Sequence, residues 1–448
     1  MRTTDHDFDE FTTQGLSRRT ALRMVGGTLL GLAVLPRAAF AAGTGFTSSA
    51  GADIPAVTVR TGIEPYGDHS TLVIGMRQGF FKDVGIDVEP QPLGESTQLA
   101  DVVPRLASGS LDIVTWYGPI KVASLPHTKN LTMLGFVDAY IGTYILAAPW
   151  TKAKPVSDLA AQGKSFTEAM STAVAQMKGK RVALANDGAH RDFFNTVFAL
   201  GGLKTSDVAL QALGDNEQVQ LANSERLDYA SPSGAAQTVQ LMNQGWYRLV
   251  GTEDLLSGLP PGDSRAVATI GNTGPACTLD YLEKNYETVL RFMSVMFRIV
   301  DQVKADPAKA LSFEAPYLRS VAGTNTTPED LGKIMKTLDP LVSFEDQTRF
   351  WTDTASPYHY KNVYGPQIAV ATQGGLIPKG FAATPDDVTV GPRIYNDLTN
   401  LKNGYDLLVP KAGSAPEAAR TMVANAATQY QNRNYLDAFR MLKTALGS

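Results

Sequence analysis

The sequence predicts an α/β protein of two similar units, each built on a parallel sheet, followed by a C-terminal helical extension. Three observations carry this. Between residues 57 and 119, β-branched runs alternate with helix-like runs in the order strand, helix, strand, helix, strand. The same layout starts afresh at Lys180. Two extended segments in a row, Leu131–Ala148, stand between the two units.

In the first unit, Val57–Gly62 alternates like a strand and Ser70–Phe81 reads as a helix. Ile86–Pro90 is the next strand, reached through a turn at Gly85. Thr97–Ser108 is helical and stopped by Gly109, and Leu111–Thr115 is a strand. Gly118-Pro119 restarts a helix with proline at its first position. In the second unit, Lys180–Ala185 is a strand and Asp192–Leu200 a helix ended by Gly201-Gly202. A strand near Val208–Leu213, a helix near Gln218–Ser224 and a short strand Leu227–Ala230 follow. Ser231-Pro232-Ser233 is expected to open a helix, with serine as cap. Ala266–Ile270 reads as one more strand, and Thr278–Ala305 as a long helix. Thr327-Pro-Glu-Asp330 has the cap, first-position proline and acidic first turn of a helix start. Tyr358–Gly380 reads as loop-rich with one short helix, and Ala415–Leu446 as a helical hairpin that docks on the main body. The expected division is a signal over 1–41, a first lobe over 54–145 and 268–385, a second lobe over 146–267, and the extension over 386–448.

Composition excludes several classes. The 448-residue chain is 44% hydrophobic and 19% charged, with a net charge of −4. That mild balance offers no basic footprint for nucleic acid and no polybasic membrane patch. A single cysteine, Cys277, permits neither an internal disulfide nor a cysteine metal cage. No two histidines stand at ligand spacing, so no metal and no cofactor is expected. The N-terminus carries Arg18-Arg19, an apolar run Met24–Leu35 and a small-residue segment ending at Gly43. This has the parts of a secretory signal, and the arginine pair makes it similar to a twin-arginine signal. A periplasmic location is the expectation.

The run Gly79-Phe80-Phe81, the turn into Gly85-Ile86-Asp87-Val88 and the segment Ala107-Ser108-Gly109-Ser110-Leu111-Asp112 carry a resemblance. Together they resemble the periplasmic substrate-binding proteins of the nitrate, sulfonate, taurine and thiamine-precursor type. The likeness covers most of residues 57–380 and leaves the last 65 or so outside. It implies a type II periplasmic binding protein fold, two lobes around a cleft, with no reaction catalysed. It further implies a monomer that carries a small molecule to an ABC permease and its ATPase. The expected ligand is a small anion, a sulfonate, nitrate or an organic acid. The alternatives are an enzyme similar to the pyrimidine-precursor synthases that share the fold, and a sensory or scaffold binding protein. The synthase type carries a clustered-cysteine motif that one cysteine cannot supply. Neither G-x-S-x-G nor H-E-x-x-H occurs, and Gly163-Lys164-Ser165 lacks the first glycine of a phosphate loop, position 158 being Asp158.

In a doubly wound sheet, ligands lie beyond the carboxyl ends of the strands. That rule selects Tyr66, Asp68 and His69 after the first strand, and Trp116, Tyr117 and Gly118 after the third. In the second unit it selects Asn186, Asp187, Gly188, Ala189 and His190, then Ser231 and Ser233. Asp138 and Tyr140 join them because they stand near the first crossing. Trp116 and Tyr117 alternate on a strand, so at least one is expected to offer a ring to ligand. Helix N-terminal amides with Ser, Asn and His donors would suit an oxyanion. Asp87 and Asp112 read as acids that cap turns.

Overall fold

The computed structural model describes residues 53–97, 101–185, 188–322 and 325–447. The export signal expected over 1–41, Arg18 and Arg19 included, lies outside the described residues, as do Asn186 and Asp187.

Strand β1 (Val57–Ile63) runs parallel to β2 (Ile86–Glu89) and to β4 (Ile113–Tyr117), and the short β3 (Glu95–Ser96) pairs with its last residues. The last strand of the chain, β11 (Thr273–Thr278), is antiparallel between β4 and β5 (Leu131–Met133). The second sheet pairs β7 (Arg181–Ala185) in parallel with β8 (Ala209–Leu213) and β9 (Tyr229–Ser231). There β6 (Tyr144–Ala147) is antiparallel between β9 and β10 (Tyr247–Gly251). The orders are β2-β1-β4-β11-β5 and β8-β7-β9-β6-β10. These are one and the same order. In each sheet the fourth place is filled by an antiparallel strand reached from the other sheet, so two crossings join two lobes.

The repeat extends to side chains. Asp112, just before β4, accepts the Arg60 amide at 2.9 Å and its guanidinium at 2.5 and 3.0 Å. Asp228, just before β9, accepts the Arg181 amide at 3.0 Å and its guanidinium at 2.7 and 3.0 Å. Both aspartates tie a strand entry to its parallel neighbour, the structural role expected for Asp112.

Local chemistry explains the turn into β2. Gly85 takes φ +75°, and a Cβ there would stand 2.6 Å from the Pro55 carbonyl oxygen, so only glycine fits without strain. Thr327 caps the helix Pro328–Thr337 reciprocally with Asp330, as its sequence predicts.

Four expectations need correction. Strand β4 runs on to Tyr117 instead of ending at Thr115. Ala266–Ile270 is no strand: Asp263 accepts the Arg265 amide and starts a helical turn, Ser264–Val267, and the strand begins only at Thr273. Ser231 lies inside β9, and the next helix, Ala235–Asn243, is capped by Gly234 and not by a serine side chain. The segment after Tyr358 holds a 14-residue helix, Tyr360–Gln373. It gains from tertiary contact what its sequence lacks, since Gln367 donates to the Ile270 carbonyl at 2.8 Å.

The first-lobe core gathers Trp116, Phe136, Phe350, Trp351 and Tyr364, and the second-lobe core Ile145, Val182, Phe194 and Leu249. The C-terminal extension comprises the helices Gly391–Leu408, Arg420–Gln431 and Tyr435–Ala445. It docks on the helix Tyr286–Ala305 through a buried pair, Arg291 donating to both Asp437 oxygens at 2.7 and 2.9 Å. Among the described residues, no helix is long and apolar enough to cross a membrane.

Candidate functional site

The two crossings lie against each other. Tyr140 and Gly271 exchange both backbone hydrogen bonds, each at 2.9 Å. Gly271 is required there by close approach, because a Cβ would stand 2.2 Å from the Tyr117 hydroxyl oxygen. The Tyr117 and Tyr140 rings meet edge to face at 6.2 Å. From this point Tyr140 reaches the second lobe, its hydroxyl donating to the Ser233 carbonyl at 3.3 Å. Tyr140 therefore joins the paired crossings to the loop that follows β9.

Beyond β1, the loop Glu64–His69 folds its charges inward. Glu64 and His69 are buried, with His69 Nδ1 2.7 Å from a Glu64 oxygen and Nε2 3.3 Å from Asp68 Oδ2. Burial works against the protonated ring, yet Asp68, Glu64 and Asp138 outweigh it and raise His69 to about 9. Asp68 Oδ2 also accepts the Thr273 hydroxyl at 2.5 Å. Asp138 accepts the Thr273 amide through Oδ1 at 2.7 Å, while Oδ2 is buried without a hydrogen-bond partner. Asp339, 2% exposed, has one oxygen in the same condition. Desolvation, with Asp68 alongside, drives both carboxyls well above the usual range. Asp68, Asp138 and Asp339 each place a carboxylate oxygen within 4.8 Å of the others. Glu314, also buried and within the field of Asp68, accepts the Ser70 hydroxyl at 2.5 Å and is pushed up by burial to about 8.

Of the residues selected from sequence, this brings together Tyr66, Asp68, His69, Tyr117, Asp138, Tyr140 and Ser233. Tyr66 is half exposed and edge-on to His69, and its hydroxyl is raised by burial first and then by Glu64, Asp215 of the second lobe and Asp68. Trp116 is different. It is wholly buried in the first-lobe core, because the longer β4 turns it away from the face that carries Tyr117. Gly118 is pressed against the Tyr364 hydroxyl, and its amide is spent on the Asn272 carbonyl at 2.8 Å. Ser231 is buried, its amide donating to the Gln218 side chain. The amides of Ser233 and Gly234 and the Ser233 hydroxyl all go to Asp215, at 2.8 to 2.9 Å. The donors expected to receive an oxyanion there are already occupied by an internal carboxylate. Gly188 and Ala189 open the helix Gly188–Gly201, and His190 is buried in its first turn.

Sequence reasoning missed Asp339, Glu314 and Thr273. Glu64 stands in the same loop as Tyr66, Asp68 and His69, yet the strand-end rule does not single it out. Nothing local marks Asp339 or Glu314, which reach the site only through folding of the helices around them.

The two sheets and their crossings give the chain the two-lobed fold of periplasmic binding proteins. Residues 52–260 match the model of the NMT1-like family. Its fold is similar to that of the aliphatic sulphonate-binding protein SsuA from Escherichia coli (14% identity, TM-score 0.52, 76% of this chain and 98% of that one). It is similar to a sulfonate-binding SsuA from Methylobacillus flagellatus (17%, 0.52, 78% and 95%) and to the nitrate-binding protein NrtA from Synechocystis (16%, 0.51, 77% and 89%). A comparison with curated protein sequences gives no match.

Proposed function

We propose that the chain is an extracytoplasmic solute-binding protein that holds a small molecule between its lobes and delivers it to an ABC importer. The observation that carries this reading is the Tyr140–Ser233 contact beside the paired crossings, which links the first crossing to the loop after β9 in the second lobe. Hinge closure around a solute is the motion such a two-crossing architecture favours. The names of the similar structures make sulfonates, nitrate and organic acids the first probes. The acids at the crossings give reason to add amines and other cations to the panel, since Glu64, Asp68 and Asp138 surround one histidine and Asp339 stands beside the two aspartates. Transport, not catalysis, is the proposed outcome, and the periplasm the proposed location.

A thermal-shift panel of these compounds tests the reading. A ligand that binds only the native state stabilises it by about 2.7 kcal/mol at 100 times its Kd. At least one class should raise the melting temperature of the purified chain, and Ser233→Trp, which fills the cleft, should abolish the rise. A panel without any shift, or a shift that survives Ser233→Trp, would count against cleft binding.

A further inference from the structure

We propose that Asp68, Asp138 and Asp339 form a binding site for a hard divalent cation of the calcium or magnesium class at the floor of the cleft. The three carboxylates come from separate elements: the loop after β1, the first crossing, and the segment after the helix Pro328–Thr337. Their offered oxygens lie within 4.8 Å of one another. Oxygens in one calcium shell, each at about 2.4 Å from the ion, stand no farther apart than about 5 Å.

Proximity of acids alone would not make a site. Here the second observation is that Asp138 Oδ2 and Asp339 Oδ1 are fully shielded from solvent and accept no hydrogen bond. A buried carboxylate oxygen left this way needs a proton or a cation. His69 cannot serve all three acids. Its ring lies between Glu64 and Asp68, at 2.7 and 3.3 Å, and is engaged by them. Among the described residues, no lysine or arginine forms an ion pair with Asp68, Asp138 or Asp339.

The donor chemistry selects the class of ion. The set is all oxygen, without thiolate, and the one nearby imidazole is turned to carboxylates on both sides. Such a set suits calcium, magnesium or manganese better than zinc or copper. Asp68 is the partly exposed member and gives an ion its way in. Asp138 holds the Thr273 amide and is paired in an isolated bridge with Leu341. A bound ion would therefore fasten the first crossing, the start of β11 and the loop after β1 to one point.

The test needs no solute, so it stands apart from the transport reading. The purified chain is stripped with EDTA, dialysed, and titrated calorimetrically with calcium, magnesium and manganese chloride in turn, with melting curves for each. We expect one ion per chain for at least one of the three, and a rise in melting temperature on its addition. Asp339→Asn should weaken that binding by at least about tenfold and erase the rise. Without ion it should melt at or above the wild-type temperature, because the amide relieves the crowding of three acids at one buried point; a merely structural lesion would lower it. Asp68→Asn, at the partly exposed member, provides the same comparison should Asp339→Asn fail to fold. Absence of binding heat and of any shift at millimolar ion would overturn the proposal, the carboxyls then being held by protons. Binding left undiminished by both variants would overturn it equally, placing the ion elsewhere.

Discussion

The Tyr140 hydroxyl donates to the Ser233 carbonyl, joining a residue of the first crossing to the loop after β9 in the other lobe. A hydrogen bond of this kind contributes about 1 kcal/mol net. Tyr140→Phe keeps the ring against Tyr117 and removes only the hydroxyl. We expect a larger mean radius of gyration by small-angle scattering and an unfolding free energy changed by no more than about 1 kcal/mol. An unchanged radius would mean that the contact does not hold the lobes together.

Trp116 behaves as a core residue on this structure. Trp116→Ala should destabilise the chain by about 3–5 kcal/mol, the usual cost of emptying a buried aromatic site. Denaturant unfolding measures this directly. Tyr117→Ala removes a ring from the cleft-side face of the same strand, and should lower solute-induced stabilisation more than it lowers ion-free and solute-free stability.

The contrast between these neighbours shows what the sequence could and could not disclose. Alternation on a strand requires Trp116 and Tyr117 to face opposite ways, and that much is local. Which face is core depends on where β4 ends and on the helix Tyr360–Gln373 packing over it, some 250 residues later. The β1 and β7 runs, the Gly85 turn and the Thr327 cap were legible because their signals are adjacent residues. The strand at Ala266–Ile270 was misplaced because a single Asp263 cap converts that run into a helical turn. The acid cluster was invisible for the same kind of reason. Asp68, Asp138 and Asp339 are 70 and 201 positions apart, and a search for histidine and cysteine spacing passes over carboxylates assembled by topology.

Glu314 makes stability fall with pH. Burial raises its pKa from 4.5 to about 8. A folded-state pKa above the unfolded one gives a contribution that is complete below 4.5 and lost as pH rises towards 8. Glu314→Gln stays neutral, so the variant should gain on wild type through that window, by roughly 1.4 kcal/mol per pH unit at most. Lys121, held down near 7 by burial, works in the opposite sense above that pH and is common to both proteins. Parallel stability curves for the two proteins between pH 5 and 8 would refute the assignment.

Asp437 pins the C-terminal extension. Asp437→Ala leaves the Arg291 guanidinium, 1% exposed, facing Glu287 at 3.7 Å as its remaining carboxylate. Removing one partner of a buried pair costs about 3–5 kcal/mol. Limited proteolysis should then cut first within the hairpin Arg420–Ala445. Replacing the pair together, Arg291→Met with Asp437→Leu, should recover most of the loss; a double variant as unstable as the single one would show that the pair is not what docks the hairpin.

The central claim is that a small molecule is held in the cleft between the lobes. Native mass spectrometry of the protein purified gently from a producing cell tests it most directly, with Ser233→Trp measured alongside. The account predicts a mass above that of the chain by one small molecule, released on denaturation and missing from the variant. A bare chain from wild type, or equal occupancy in Ser233→Trp, would contradict it.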